Sequence, residues 1–359
     1  MRSLMIVMIV LLSFQWAHTQ IKEEPLTRTK RSLLPVVFFL PETSLGFGAM
    51  VVSTMEFMKH EEETRPSQFI FSNAYTLRRQ FLLFAPYEFY SNGNRDRIKG
   101  ELGYYRYFYN YFGVGRRSSA EDLETYNVNF PRIDVNYSRR VHSNLYLGLG
   151  FNFDAYNITE IDEGGRLMLD SPTGVQGGNK SNLYALAAYD TRDNINAPSS
   201  GFYLESSLQR SFSPISDFSY TKWVMDLRSY SKFREKLIVA SQILIATASE
   251  GAPFFDLPYL SSPVLGRGLN DRRYLTNRLV AAQNEYRFPI KKRFHGAAFI
   301  SANFVLDDAW DFSQEDALVV TYGVGVRYEI QPESRTRLRL DIASAEGGFN
   351  FYFTVNEAF

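Results

Sequence analysis

The sequence predicts an all-β fold: a transmembrane antiparallel β-barrel of about sixteen strands, with a long loop folded back inside it. Three observations carry this. Apolar residues recur with a period of two almost without interruption from residue 33 to the C-terminus. Aromatic residues make up 16% of the chain, with 30 Phe and 23 Tyr, the density expected where aromatic girdles mark two membrane interfaces. No apolar run after the N-terminus approaches the roughly 20 residues that a membrane helix needs, so any crossing must be made by strands.

The alternation is clearest near the C-terminus. Leu318, Val320, Tyr322, Val324, Val326, Tyr328 and Ile330 share one face, against Thr321, Gly323, Gly325, Arg327 and Glu329. Leu145, Leu147, Leu149, Phe151 and Phe153 do the same, as do Phe349, Phe351, Phe353, Val355 and Phe359. A soluble sandwich with one wet face gives a similar pattern. Runs of about ten residues or more, and a charged second face rich in Gly and Tyr, favour a membrane strand over a polar lumen.

In chain order, residues 1–19 have the build of a signal peptide: Arg2 in the basic region, Leu4 to Phe14 as the apolar stretch, and Ala17 and Thr19 before cleavage at Gln20. Residues 20–32 form a short polar periplasmic segment, and 33–359 form the barrel as one domain. Strands are predicted at 34–40, 44–57, 66–78, 80–90, 96–110, 125–140, 143–157, 181–192, 201–212, 217–233, 235–249, 277–289, 294–306, 317–330, 335–344 and 348–358. An even number suits a closed barrel with no free edge.

Composition excludes several functions. With 39 basic and 39 acidic residues the formal charge is zero, so no broad nucleic-acid surface is implied. The absence of cysteine excludes a disulfide framework, a thiolate metal site and a lipoprotein anchor. The run Lys59 to Glu63 has the composition of a solvated turn. Residues 158–180 form a long Gly/Asp-rich loop, predicted to be extracellular, whose Asp162, Glu163 and Asp170 match no EF-hand spacing. No metal, cofactor or catalytic residue is expected. The sequence holds no H-E-x-x-H, G-x-S-x-G or phosphate loop, and His142-Ser143-Asn144 are adjacent in a turn rather than converging on one site.

The one connector that asks for a special explanation is Glu250 to Thr276. It carries Gly251, Pro253, Pro258, Pro263, Gly266 and Gly268, has few apolar residues, and sets Arg267 between two glycines. An arginine held so needs a partner. Alternation on the next strand sends Val280, Ala282, Tyr286 and Phe288 to lipid and Gln283, Glu285 and Arg287 to the lumen. The strand after it turns Ser301 and Asn303 inward. Arg267 is therefore predicted to enter the lumen and pair with Glu285, with Ser301 and Asn303 accepting further hydrogen bonds. A guanidinium suits this because its fork binds a carboxylate bidentately. Arg335, Arg337, Arg339 and Asp341 form an inward ladder, expected to pair with acids across the lumen, next to Arg327 and Glu329.

Three segments together resemble the bacterial surface-antigen superfamily, the outer membrane protein 85 group of BamA/TamA-type barrels. Asp190-Thr191-Arg192-Asp193-Asn194, with Pro198 and Gly201, is similar to that family's turn between the eighth and ninth strands. Gly266-Arg267-Gly268-Leu269 is similar to its R-G-F/Y loop motif between the eleventh and twelfth strands, and Glu285 to Ile290 resembles the strand that follows. The terminal Phe359, with Phe353, looks like the C-terminal signal by which barrels are recognised for assembly, making the chain itself a client of the assembly machinery.

The departures are specific. Leu269 replaces the motif's aromatic, and Phe299-Ile300-Ser301-Ala302-Asn303 stands where the family carries F-x-D-x-G, so the usual acidic partner is absent there. The short leader leaves no room for a POTRA domain. The resemblance implies a cell outer-membrane protein of a Gram-negative bacterium that assembles or translocates proteins, or moves lipid, in contact with outer-membrane lipids and separate periplasmic or lipoprotein partners. The competing reading is a passive pore or a structural barrel that scaffolds a lipoprotein.

Overall fold

The computed structural model describes residues 27–57, 64–233, 236–260, 263–307, 310–314, 316–332 and 335–359. The signal-peptide region and the 59–63 charge run lie outside them. The chain forms β1 (Thr27–Leu40), β2 (Ser44–Phe57), β3 (Ser67–Thr76), β4 (Phe81–Tyr90), β5 (Asp96–Tyr111), β6 (Glu124–His142), β7 (Leu145–Glu160), α1 (Arg166–Asp170), β8 (Gly178–Asp190), β9 (Gly201–Ser211), β10 (Tyr220–Phe233), β11 (Leu237–Ala248), β12 (Tyr259–Leu260), β13 (Tyr274–Leu275), β14 (Arg278–Lys291), β15 (Phe294–Leu306), β16 (Leu318–Gln331), β17 (Thr336–Ala345) and β18 (Gly348–Val355). Sixteen of these close into one antiparallel barrel, and β12 and β13 pair with each other inside the loop that joins β11 to β14.

Each barrel strand shows one face to the membrane. Leu149, Tyr322, Val324, Ile290 and Phe349 are all more than half exposed and point outward, while Gln283, Glu285, Arg287, Thr321 and Arg327 on the alternate positions are buried inside. Such inversion, with apolar residues out and charges in, is what a lipid solvent selects: a Lys or Arg on the lipid face at the bilayer midplane costs about 2–4 kcal/mol.

The two ends of the barrel differ. Hairpins such as β6–β7 and β14–β15 are tight, whereas the β5–β6, β7–β8, β11–β14 and β15–β16 connections are long. Thr27, at the start of β1, and the C-terminal Phe359 lie at the short-turn end. At the other end the β7–β8 segment, predicted as an irregular loop, carries α1, whose Leu167 is fully buried; Asp170 is held there by Arg166 and by the Tyr111 hydroxyl.

Of the boundaries that depart from the sequence reading, two bear on the seam and the tail. Residues 27–32, assigned to the polar leader, are the start of β1, paired with β2 from Thr27↔Phe57 to Leu40↔Ser44. Their charged side chains are tolerated because Lys30 and Arg31 sit exposed at the rim. The last strand ends at Val355 rather than continuing to 358, and Phe359 does not extend the outward face of Phe349 and Phe351. It turns inward and is 5% exposed, against Tyr230 and Arg287.

The barrel closes between β1 and β18 through the single registered pair Phe39↔Phe353. β18 otherwise pairs with β17 from Leu338↔Val355 to Ala345↔Gly348. Pro35 contributes no N–H to this edge of β1.

Candidate functional site

The β11–β14 loop crosses the lumen and is fixed to two walls. Its first half carries Phe254-Phe255-Asp256. Phe255 stacks on Tyr156 with ring centroids 4.0 Å apart, and Phe254 meets Tyr111 and Tyr126 edge-on or tilted. Asp256 accepts from Lys180 at 3.2 Å, Lys222 at 3.0 Å and the Tyr220 hydroxyl. Burial alone would raise its pKa, but the two ammonium groups outweigh burial and hold it well below the usual carboxylate range. The description of this loop as poor in apolar residues is thus corrected: Phe254, Phe255, Leu257 and Leu260 are buried and form much of the lumenal core. The adjacent aromatic pair Phe254-Phe255, framed by Pro253 and Pro258, was the available signal.

The second half carries the Gly-Arg-Gly motif. Gly266 and Gly268 have φ of +73° and +108°, which side chains other than glycine rarely adopt. A Cβ on Gly268 would lie 2.6 Å from the backbone carbon of Ser344, so only glycine lets the loop press against β17. Between them Arg267, 1% exposed, sends Nη1 to Glu285 Oε2 at 2.8 Å and to Asp341 Oδ2 at 2.9 Å. Its guanidinium lies 3.4 Å from the centroid of Phe299, a cation–π contact in a dry site.

The structure brings Arg267 and Glu285 together but not Arg267 with Ser301 and Asn303. Ser301 bonds Thr321, and Asn303 donates to Ser301 and to the Val319 carbonyl, so both side chains are engaged along the wall rather than by Arg267. The acid missing from that strand is supplied instead by Asp341 on β17. Glu285 therefore shares the pairing, and the inward ladder that holds Asp341 was where to look for the second carboxylate.

Around this pair the lumen is filled by ionic contacts. Glu285 also meets Arg287 at 2.8 Å and Arg327 at 3.4 Å, and Asp341 meets Arg327 and Arg339. Glu357, beyond the end of β18, has a side chain only 1% exposed and joins Arg327 and Arg337 at 2.9 Å and Arg287 at 3.7 Å. The tail Asn356 to Phe359 is thus an inward prong, with the Phe359 carbonyl accepting from Arg287.

Two further contacts tie the loop to the seam. Gly268 N–H donates to the Tyr352 hydroxyl, and Asn350 donates to the Gly268 carbonyl, both on β18. Arg273 and Tyr274 clasp Glu346 in the β17–β18 turn. On the other side of the seam, Glu42 in the β1–β2 turn is 8% exposed, and burial together with the nearby charge of Asp271 pushes its pKa up to about 8.

The Asp190 to Gly201 turn caps the short-turn end. Asp190 binds Arg192 and Arg65; Asp193 accepts from Ser199 and Ser200 and pairs with Arg335. Asn194 Oδ1 accepts from the Asn196 and Ala197 amides, a local turn that sets up Pro198. Gly201, with φ +106°, would place a Cβ 2.3 Å from the Thr191 carbonyl oxygen. Asn196 reaches across the mouth to the backbone of Glu357.

Residues 70–359 match the Omp85 superfamily domain. None of the curated proteins compared with the sequence matches it. Among solved structures the fold is similar to BamA from Haemophilus ducreyi lacking POTRA domains 1–3, with TM-score 0.62 and 15% identity over 92% of this chain and 70% of that one. It is also similar to CdiB from Acinetobacter baumannii, with TM-score 0.60 and 11% identity over 93% of this chain, which spans 60% of that one. A sixteen-stranded barrel whose Gly-Arg-Gly loop is anchored inside it accords with the family match, and the chain belongs to the Omp85 superfamily.

Proposed function

We propose that this chain is a BamA/TamA-like barrel that takes part in outer-membrane protein assembly, protein translocation or lipid transport, with separate partner proteins handling clients in the periplasm. The fold implies a Gram-negative outer membrane. The short-turn end then faces the periplasm and the long loops face outward. The observation that carries the reading is the arrangement at the seam. The lumen is obstructed by the loop and the tail, so a wide axial path is absent among the described residues. The weakest lateral joint, Phe39↔Phe353, lies between β1 and β18, and the loop holds the β17–β18 hairpin on one side of it. Cargo entering the membrane sideways has one place to do so.

Because the chain has no cysteine, the seam can be locked cleanly. The double variant Phe39→Cys/Phe353→Cys, expressed in cells lacking the native gene, is expected to lose complementation when oxidised and to regain it under reductant. Undiminished complementation by the cross-linked barrel would refute a lateral route. Conductance addresses the passive-pore alternative: small erratic openings accord with an obstructed lumen, while large steady ones would replace this reading with a pore.

A further inference from the structure

We infer that the short-turn rim spanning β10, β11, β14 and β15 is a binding site for anionic phospholipid headgroups of the inner leaflet. Lys232 and Lys236 flank the β10–β11 hairpin tip, and Lys291, Lys292 and Arg293 make the β14–β15 tip. The last registered pair of β11 and β14, Ile238↔Arg287, sets the two hairpin ends side by side. All five are exposed, and none makes an ion pair among the described residues. Several other cations of this rim are matched: Arg65 and Arg192 by Asp190, Arg139 by Asp96, Arg335 by Asp193.

The surface just below these charges decides what they meet. Tyr286, Phe288 and Ile290 climb the outer face of β14 and end at Lys291. Phe233 ends β10 in the same way, and Phe294 meets Tyr328 in a tilted ring contact at the foot of β15. An apolar, aromatic band crowned by unmatched cations is complementary to a lipid: acyl chains against the band, phosphate at the ammonium and guanidinium groups. An acidic protein would match the charges but not the outward-facing rings beneath them. At the opposite end of β15 the next loop carries Asp307, Asp311 and Asp316 in place of a basic cluster.

The inference requires only that the barrel lies in a membrane. Its failure would leave the seam reading untouched, and the seam test does not bear on it. The full chain, folded in detergent, is to be equilibrated with equal amounts of phosphatidylglycerol and phosphatidylcholine, and bound lipids counted by native mass spectrometry. The wild type is expected to retain phosphatidylglycerol preferentially. The triple variant Lys291→Gln/Lys292→Gln/Arg293→Gln should lower that preference by about tenfold or more, and added salt should erode it. The pair Arg139→Gln/Arg140→Gln, on another part of the rim, should not. Heat-modifiable electrophoretic mobility identifies variants that fold, and Lys236→Gln alone provides a milder variant that should lose part of the preference. Equal retention of both lipids by the wild type, an unchanged ratio in the folded triple variant, or an equal loss in the Arg139/Arg140 variant would overturn the proposal. So would binding of polyglutamate at this rim without any lipid preference, which would assign it to an acidic protein.

Discussion

At the scale of the residue, Arg267 is the hinge of the interior. Its two carboxylates come from strands 56 positions apart in sequence, Glu285 and Asp341, and neither has solvent to fall back on. Other arginines partly neutralise both acids, yet the cavity left by Arg267 would be dry and lined by charge. Arg267→Ala is therefore expected to destabilise the barrel by about 3–5 kcal/mol, the cost of breaking a buried pair by removing one member. The measurement is the temperature at which heat-modifiable mobility is lost, together with protease cleavage within 250–276. A variant as heat-stable as the wild type, with the loop still protected, would show that the aromatic and Asp256 contacts hold it alone.

At the scale of the element, the loop is a strut with one end among aromatics and the other on the seam hairpins. Its contact with the β1–β2 turn is sensitive to pH. Glu42 is buried with Asp271 near it and with Tyr107 and Arg78 around it; its folded pKa, about 8, lies above the unfolded value of 4.5. The folded state thus binds the extra proton, and the stability contributed by the protonated group is full below about pH 4.5 and is lost as pH rises through 8. Thermal stability of the wild type should fall from pH 5 to pH 8.5. Glu42→Gln, which keeps the neutral shape, should flatten that dependence and be the more stable protein at pH 8.5. Parallel curves for the two proteins would exclude Glu42 as the titrating group.

At the scale of the whole molecule, three segments distant in sequence meet in one lumen: the loop, the β8–β9 turn and the C-terminal tail. The tail links the closing strand to the wall through Glu357 and to the cap through Asn196. Glu357→Gln leaves Phe359 in place but removes the charge that three arginines share. Amide hydrogen exchange at Asn356 to Phe359 should then rise by about ten- to a hundredfold, in line with about 1.5–3 kcal/mol for a hydrogen bond to a charged group. Unchanged protection would mean that Phe359 and its carbonyl hold the tail by themselves.

The sequence by itself determined the barrel. A period of two repeated through strands such as β16 specifies which face meets lipid, and that pattern is local, so the strand count, the inward direction of Glu285 and Arg287, and the position of the long loop were all legible. It also marked Arg267 as a residue in need of a partner. Only the tertiary structure decided which partners it has. Asp341 is adjacent to Glu285 in neither sequence nor strand order; the two converge because the wall curves back on itself, and no periodicity encodes that distance. The same reason governs Phe359. On the strand pattern it belongs to the outer face, but once β18 ends at Val355 the chain is free to turn, and the arginines inside the barrel offer Glu357 a better environment than the rim. Leu34 to Leu40 were readable as a strand, whereas the strand pairing of Thr27 to Ser32 was hidden by their charges, because cross-strand hydrogen bonds to β2 depend on the backbone and leave no mark in side-chain hydropathy.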